Sequence, residues 1–296
     1  MTVALLPGGE AEASSSQQVT ISGNGSSVKV SGVKNLKAGW VKVKISSTDD
    51  MWFTAARPGM GAKAAQASEG IRPHKSVLAH PSPVARPADT NGSTGSAGTT
   101  STGVASSASQ AAQEITTAEG EMVAFGGGSA VSKGKAATFT LKLPVGKVAI
   151  LDLDTNTVAS TLVIGKGSGA SQPHADARVT EANDHVLHAP SALPRSGTVE
   201  FSNTGSKAWH ELGFLQLVKG ATKSDVVNFF AGKSTKVPFA VSSTFGVGTE
   251  PLSPQHSEYV QYSVPKGRYA LLDLWVDDKT GQPYVAENSV KILTVK

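Results

Sequence analysis

The chain has 296 residues, with 27 basic and 23 acidic side chains, 31 glycines, 15 prolines and no cysteine. The absent thiols exclude disulfide scaffolds, cysteine nucleophiles, iron–sulfur clusters and thiolate metal sites. A net charge of +4 is too small to argue for nucleic acid, and 17% charged residues amid so much Gly and Pro disfavour long helices.

The length suggests two domains. No stretch approaches the roughly 20 apolar residues of a membrane helix, so no transmembrane segment is expected. Residues 1–17 read as a flexible N-terminus that could be the remainder of a trimmed signal peptide. With the Ser/Thr/Gly/Ala-rich texture of the chain, this points to a secreted or cell-surface protein.

Residues 18–46 alternate apolar and polar, as in Val28-Lys-Val30 and Val41-Lys-Val43-Lys-Ile45. Period two with β-branched residues predicts half-buried strands. Between about residues 83 and 113 the chain becomes a Ser/Thr/Gly/Ala tract with almost nothing to bury, which reads as a mobile insertion. Alternation returns at Ala137–Leu143 and at Glu258–Val264, with turn chemistry at Pro144-Val-Gly146 and Pro265-Lys-Gly267. Residues 165–177, beginning Gly165-Lys-Gly-Ser-Gly169, look like a flexible linker. A single helix is predicted over Ser224–Phe230, capped by Ser224 and ended by Gly232, to cover an edge or end of a sheet.

Pro144-Val-Gly-Lys-Val-Ala-Ile-Leu-Asp-Leu153 lies over Pro265-Lys-Gly-Arg-Tyr-Ala-Leu-Leu-Asp-Leu274 at an offset of 121 (265 − 144). Gly39-Trp-Val-Lys-Val lies over Gly197-Thr-Val-Glu-Phe at an offset of 158 (197 − 39). The difference is 37 residues (158 − 121), located where the low-complexity tract sits. A repeat unit of this length implies a tandem duplication of whole domains. The domains expected are 18–164, carrying the insertion, and 178–296.

Phe201-Ser-Asn-Thr-Gly-Ser-Lys-Ala-Trp-His210 resembles the first-histidine segment of cupredoxins, the blue copper β-sandwich family, where the copper-binding His follows Asn-x-Gly. Val264-Pro-Lys-Gly267-Arg-Tyr269-Ala-Leu-Leu-Asp273 resembles that family's Pro-Gly-x-Tyr strand, which runs into the ligand Cys. The resemblance is closest to domains of secreted actinobacterial proteins and extends more faintly to the first copy. It implies an all-β chain of two tandem Greek-key sandwiches, with one short helix in the second. It also implies loss of most copper ligands. Asp273 stands at the Cys position, Tyr284 and Glu287 near the downstream His and Met positions, and Trp52 and Asp152 at the His and Cys positions of the first copy. Without the thiolate, blue copper electron transfer is not available.

His210, Asp273 and Glu287, with Tyr284 beside them, could still form a harder N/O site for cupric ion or zinc. The competing expectation is that Asp273 and His210 fill a polar sandwich end with hydrogen bonds, as a shared Asp in a copy lacking the His suggests. His185 and His188 sit three apart in an expected strand and would face opposite sides. Asp152/Asp154 and Asp273/Asp277/Asp278 lack calcium-loop spacing. Gly134-Lys135 lacks the remainder of a phosphate loop, and no hydrolase elbow or His-Glu-x-x-His motif occurs. The expected protein is therefore not an enzyme and has no catalytic residues and no cofactor. It binds a protein partner or itself, through exposed sheet edges among other surfaces. The alternative is a metal-handling protein holding one copper or zinc ion through His210.

Overall fold

A computed structural model describes residues 17–23, 28–47, 51–58, 122–130, 136–153, 157–240 and 248–296. The insertion expected at 83–113 and nearly all of the N-terminal segment lie outside these residues. Alternation is realised strand by strand: Val41, Val43 and Ile45 are buried while Lys44 is exposed. The first half forms β1 (Gln18–Gly23), β2 (Val28–Ser31), β3 (Gly39–Ser47), β4 (Met51–Pro58), β5 (Met122–Ala130), β6 (Ala136–Leu143), β7 (Gly146–Asp152) and β8 (Thr157–Ile164). The second half forms β9 (Ala177–Glu181), β10 (Ala192–Leu193), β11 (Ser196–Asn203), β12 (Leu212–Gln216), β13 (His256–Ser263), β14 (Gly267–Asp273) and β15 (Val290–Val295).

These strands make two β-sandwiches that share one sheet. A seven-stranded sheet runs β2-β1-β3-β6-β13-β11-β9 and is faced by two four-stranded sheets, β5-β4-β7-β8 and β10-β15-β14-β12. One core lies between β1, β3, β6 and the first facing sheet, with Val19, Val43, Phe139, Phe53, Ile150 and Leu162 inside it. The other joins Val179, Phe201 and Tyr262 to Phe214, Tyr269 and Leu293 of the second facing sheet. The pairing senses recur between halves. β1 runs parallel to β3, which pairs antiparallel with β6; β9 runs parallel to β11, which pairs antiparallel with β13.

The registers refine the sequence alignment. Leu143 faces Gly39, whereas Val264, which matches Leu143 in the repeat, donates its N–H to Arg195 O. The front strands therefore correspond at 156 (195 − 39), two residues from the Gly39–Gly197 alignment. A slip of two preserves every inward and outward position, so period-two patterning cannot detect it.

Helix α1 spans Lys223–Phe230. Its cap is Thr222 rather than Ser224: the Thr222 hydroxyl accepts from Asp225 N, and the Asp225 carboxylate accepts from Thr222 N. This reciprocal pair satisfies two otherwise orphaned donors. Val226 of α1 packs with Leu215, Leu272 and Val290, so the helix covers the outer face of the second facing sheet. Residues 165–172 are held by hydrogen bonds rather than left free. Gly165 N donates to Leu36 O, Ala38 N to Gly165 O, and the Gln172 side chain to Tyr259 Oη.

The halves meet through more than the β6–β13 pairing. Ser253 exchanges hydrogen bonds with Ala124 through its N–H and its hydroxyl. Ala56, Leu151, Trp209, Trp275 and Tyr284 form one apolar cluster from both halves. Glu258 of β13 is wholly buried, and Gly127 N of β5 donates to its Oε2 at 3.0 Å. Gly126 sits at φ +91°, where an added Cβ would lie 2.5 Å from the same carboxylate, so only glycine fits there. Burial pushes the Glu258 carboxyl well above the ordinary range and the Glu211 charge adds to this, against the opposing pull of the Gly127 and Thr249 bonds.

A raised carboxyl keeps its proton in the folded chain while the unfolded chain loses it above about pH 4.3. The folded state's advantage is thus complete below that pH and declines as pH rises toward the folded value. Glu258→Gln should match the wild type in urea-unfolding stability near pH 4 and exceed it increasingly toward pH 7. A constant difference across that range would contradict this.

Candidate functional site

The inward face of β9 reads Ala177, Val179, Glu181, all buried. The alternation that buries the first two carries Glu181 to the end of the second sandwich. The chain then turns, with His185 N donating to Ala182 O and Val186 N to Asp184 Oδ1. His185 adopts φ +53°, a left-handed conformation that His tolerates better than most residues. The segment expected to be a strand here is therefore a turn, because the Asp184 side chain offers the backbone a local partner. His188 returns to pair with Thr180 and is exposed.

At the end of β11, Asn203 builds the corner that the sequence shows as Asn-Thr-Gly. Its amide donates to Ala208 O at 2.9 Å and Leu252 O at 2.8 Å, and its carbonyl accepts from Gly205 N at 3.0 Å. That corner sets His210, whose backbone pairs with Leu252. β14 ends at Asp273, opposite Leu212, so the two sequence candidates come together.

Asp273 and His210 are both fully buried. Asp273 Oδ1 accepts from Glu211 N at 3.0 Å and Trp275 N at 2.9 Å, and Oδ2 lies 2.7 Å from His210 Nδ1. An ionised carboxylate only accepts, so Nδ1–H is the donor and Nε2 is the ring's basic nitrogen. Glu181 Oε2 lies 3.8 Å from His210 Nδ1, and Glu181 Oε1 accepts from the Ser289 hydroxyl. Burial drives the Glu181 carboxyl well above its ordinary range and the adjacent Asp273 charge pushes it further, against the pull of His210 and Ser289. His185 stacks on Tyr284 with ring centroids 3.9 Å apart and meets His210 edge-on at 5.5 Å. Burial and then the nearby His210 lower its pKa, favouring the neutral ring.

Among the described residues, the one group of three donors placed to converge on an ion is Glu181, His185 and His210, with ligand atoms within 4.8 Å of one another. Glu287 lies elsewhere in role: it is exposed, and its carboxylate accepts from the Thr280 hydroxyl. Tyr284 is buried against the histidines rather than extended as a ligand. Sequence reasoning missed Glu181 and set His185 aside as a strand residue. The available signal for Glu181 was a carboxylate on the core face of an alternating strand, which is costly unless paired.

In the first half, Trp52 O accepts from Leu153 N just as Glu211 O accepts from Leu274 N. The backbone counterpart of His210 is thus Met51, one residue before Trp52. Asp152 is buried at the position matching Asp273, and the residue in the His210 register is a methionine. The thiolate copper centre implied by the cupredoxin resemblance does not fit either half. Its sulfur position in the second half holds a carboxylate already committed to three donors.

No protein-family model and no curated protein sequence matches the chain. Among solved structures, it is similar to dithionite-reduced auracyanin from Roseiflexus castenholzii (16% identity, TM-score 0.28), over 40% of this chain and 94% of that one. It is similar to a purple cupredoxin from Nitrosopumilus maritimus (15% identity, TM-score 0.23), over 41% and 100%. It is also similar to the copper nitrite reductase of Nitrosomonas europaea (8% identity, TM-score 0.23), over 94% and 93%.

Asp273→Ala strands the His210, Glu211 and Trp275 N–H groups in a dry environment and should cost about 3–5 kcal/mol of folding stability. Asp273→Asn keeps one carbonyl oxygen for the backbone donors and should cost less. Denaturant titration checks both; equal, sub-kilocalorie losses would contradict the role assigned to this carboxylate.

Proposed function

We propose that the chain is a non-catalytic, secreted or cell-surface binding or structural protein built from two tandem cupredoxin-like sandwiches. The observation that carries this reading is the Asp273 carboxylate. It occupies the position where electron-transfer chemistry needs a thiolate, and it accepts hydrogen bonds from His210, Glu211 and Trp275. The recurring strand-pairing senses of the two halves support the duplication, and the corner built by Asn203 supports the cupredoxin-like reading.

Recognition then falls to the outer surfaces. A polar cleft of about 630 Å³ at the junction is lined by Trp40, Phe125, Lys142, Glu200 and His256, among others. Its mixed charge and aromatic edges suit a protein segment better than nucleic acid. Export is supported by the Ser/Thr/Gly/Ala texture of the sequence.

The test is enzymatic and spatial. Purified full-length protein given one equivalent of cupric ion should oxidise phenols and reduce nitrite no faster than the free ion. Antibody detection in the producing cells should find the protein outside the cytoplasm. Turnover above the free-ion rate that disappears in His210→Ala, or a cytoplasmic location, would overturn the reading.

A further inference from the structure

We propose that the end of the second sandwich is a binding site for one borderline divalent transition ion, zinc or cupric, held by Glu181, His185 and His210. Asp273 serves as the positioning residue for His210.

The argument begins with how the three side chains are held. Each is fixed from behind by a different group: His210 by Asp273 at Nδ1, Glu181 by the Ser289 hydroxyl at Oε1, and His185 by its stack on Tyr284. Fixing of this kind spares each side chain a search among rotamers when an ion arrives. Metal-binding histidines typically give their other N–H to a carboxylate in this way. The atoms left facing the cluster include Glu181 Oε2 and His185 Nδ1, both buried and without a hydrogen-bond partner among the described residues. Glu181 itself is 0% exposed. Two buried polar atoms left without a partner are costly, and a cation between them satisfies both.

The donor set narrows the ion. Two imidazoles and one carboxylate suit zinc or cupric ion, whereas calcium and magnesium require six or more oxygens. Ligand atoms within 4.8 Å of one another need a closure of under about 1 Å to reach bonds of roughly 2.0–2.2 Å. His185 sits in a turn, the element best able to supply that movement. The site is distinct from the grouping of His210, Asp273 and Glu287 read from the sequence, since Asp273 acts through His210 and Glu287 faces outward.

This inference is independent of the non-catalytic reading, which survives if no metal binds. The experiment is calorimetric titration of chelator-treated full-length protein with zinc chloride and, separately, with cupric chloride in a glycine buffer. Single-site binding with sub-micromolar Kd is expected for each. His185→Asn preserves the left-handed turn, because Asn adopts that conformation readily, and should weaken Kd at least tenfold. Glu287→Ala should leave Kd unchanged. Electron paramagnetic resonance of the cupric form should show hyperfine coupling to two imidazole nitrogens, reduced to one in His185→Asn. Absence of heat from both metals would overturn the proposal, as would binding that His185→Asn does not alter or that Glu287→Ala abolishes.

Discussion

The buried Asp273 carboxylate is the constraint on which the second sandwich end depends. A charge removed from water needs a full set of donors, and here β14 delivers Asp273 to the backbone N–H groups of Glu211 and Trp275 and to the His210 ring. That one acceptor ties the end of β14 to the segment entering β12 and fixes the imidazole tautomer. Burial pushes the Glu181 carboxyl up, and the Asp273 charge adds to that. Fold and chemistry meet at one side chain.

The sandwich arrangement buries Glu181, His210 and Asp273 completely, with His185 partly exposed beside them. β6 and β13 lie side by side in a continuous sheet, and the apolar cluster of Trp209, Trp275, Tyr284, Ala56 and Leu151 seals the site's flank against the first half. Glu258 plays a similar buried part at the junction, bonded to Gly127 across the boundary. The two halves thus cover each other's polar ends.

Much of this was legible in the sequence, for identifiable reasons. Strands such as Val41-Lys-Val43-Lys-Ile45 announce themselves because one face is buried and the other is not. The Asn-x-Gly corner and the run ending at Asp273 marked where His210 and Asp273 would stand, and the structure brings them within 2.7 Å. Three features were not legible. A register slip of two leaves alternation intact, so the front strands were aligned two residues off. The turn at His185 depends on a local bond from Asp184 and a left-handed backbone, neither of which periodicity encodes. Glu181 joins His210 only because β9 runs parallel to β11, a long-range pairing that no local pattern specifies. Glu287 was drawn in by its distance along the chain, whereas the turn it closes directs its carboxylate to Thr280.

The central claim is that Asp273, as an ionised hydrogen-bond acceptor, organises His210. Long-range proton–nitrogen correlation NMR of the metal-free protein at neutral pH tests this most directly. The account predicts that His210 carries its proton on Nδ1, with a slowly exchanging, downfield-shifted resonance that moves upfield in Asp273→Asn. A His210 ring protonated only at Nε2, or an Nδ1 proton indifferent to Asp273→Asn, would contradict it.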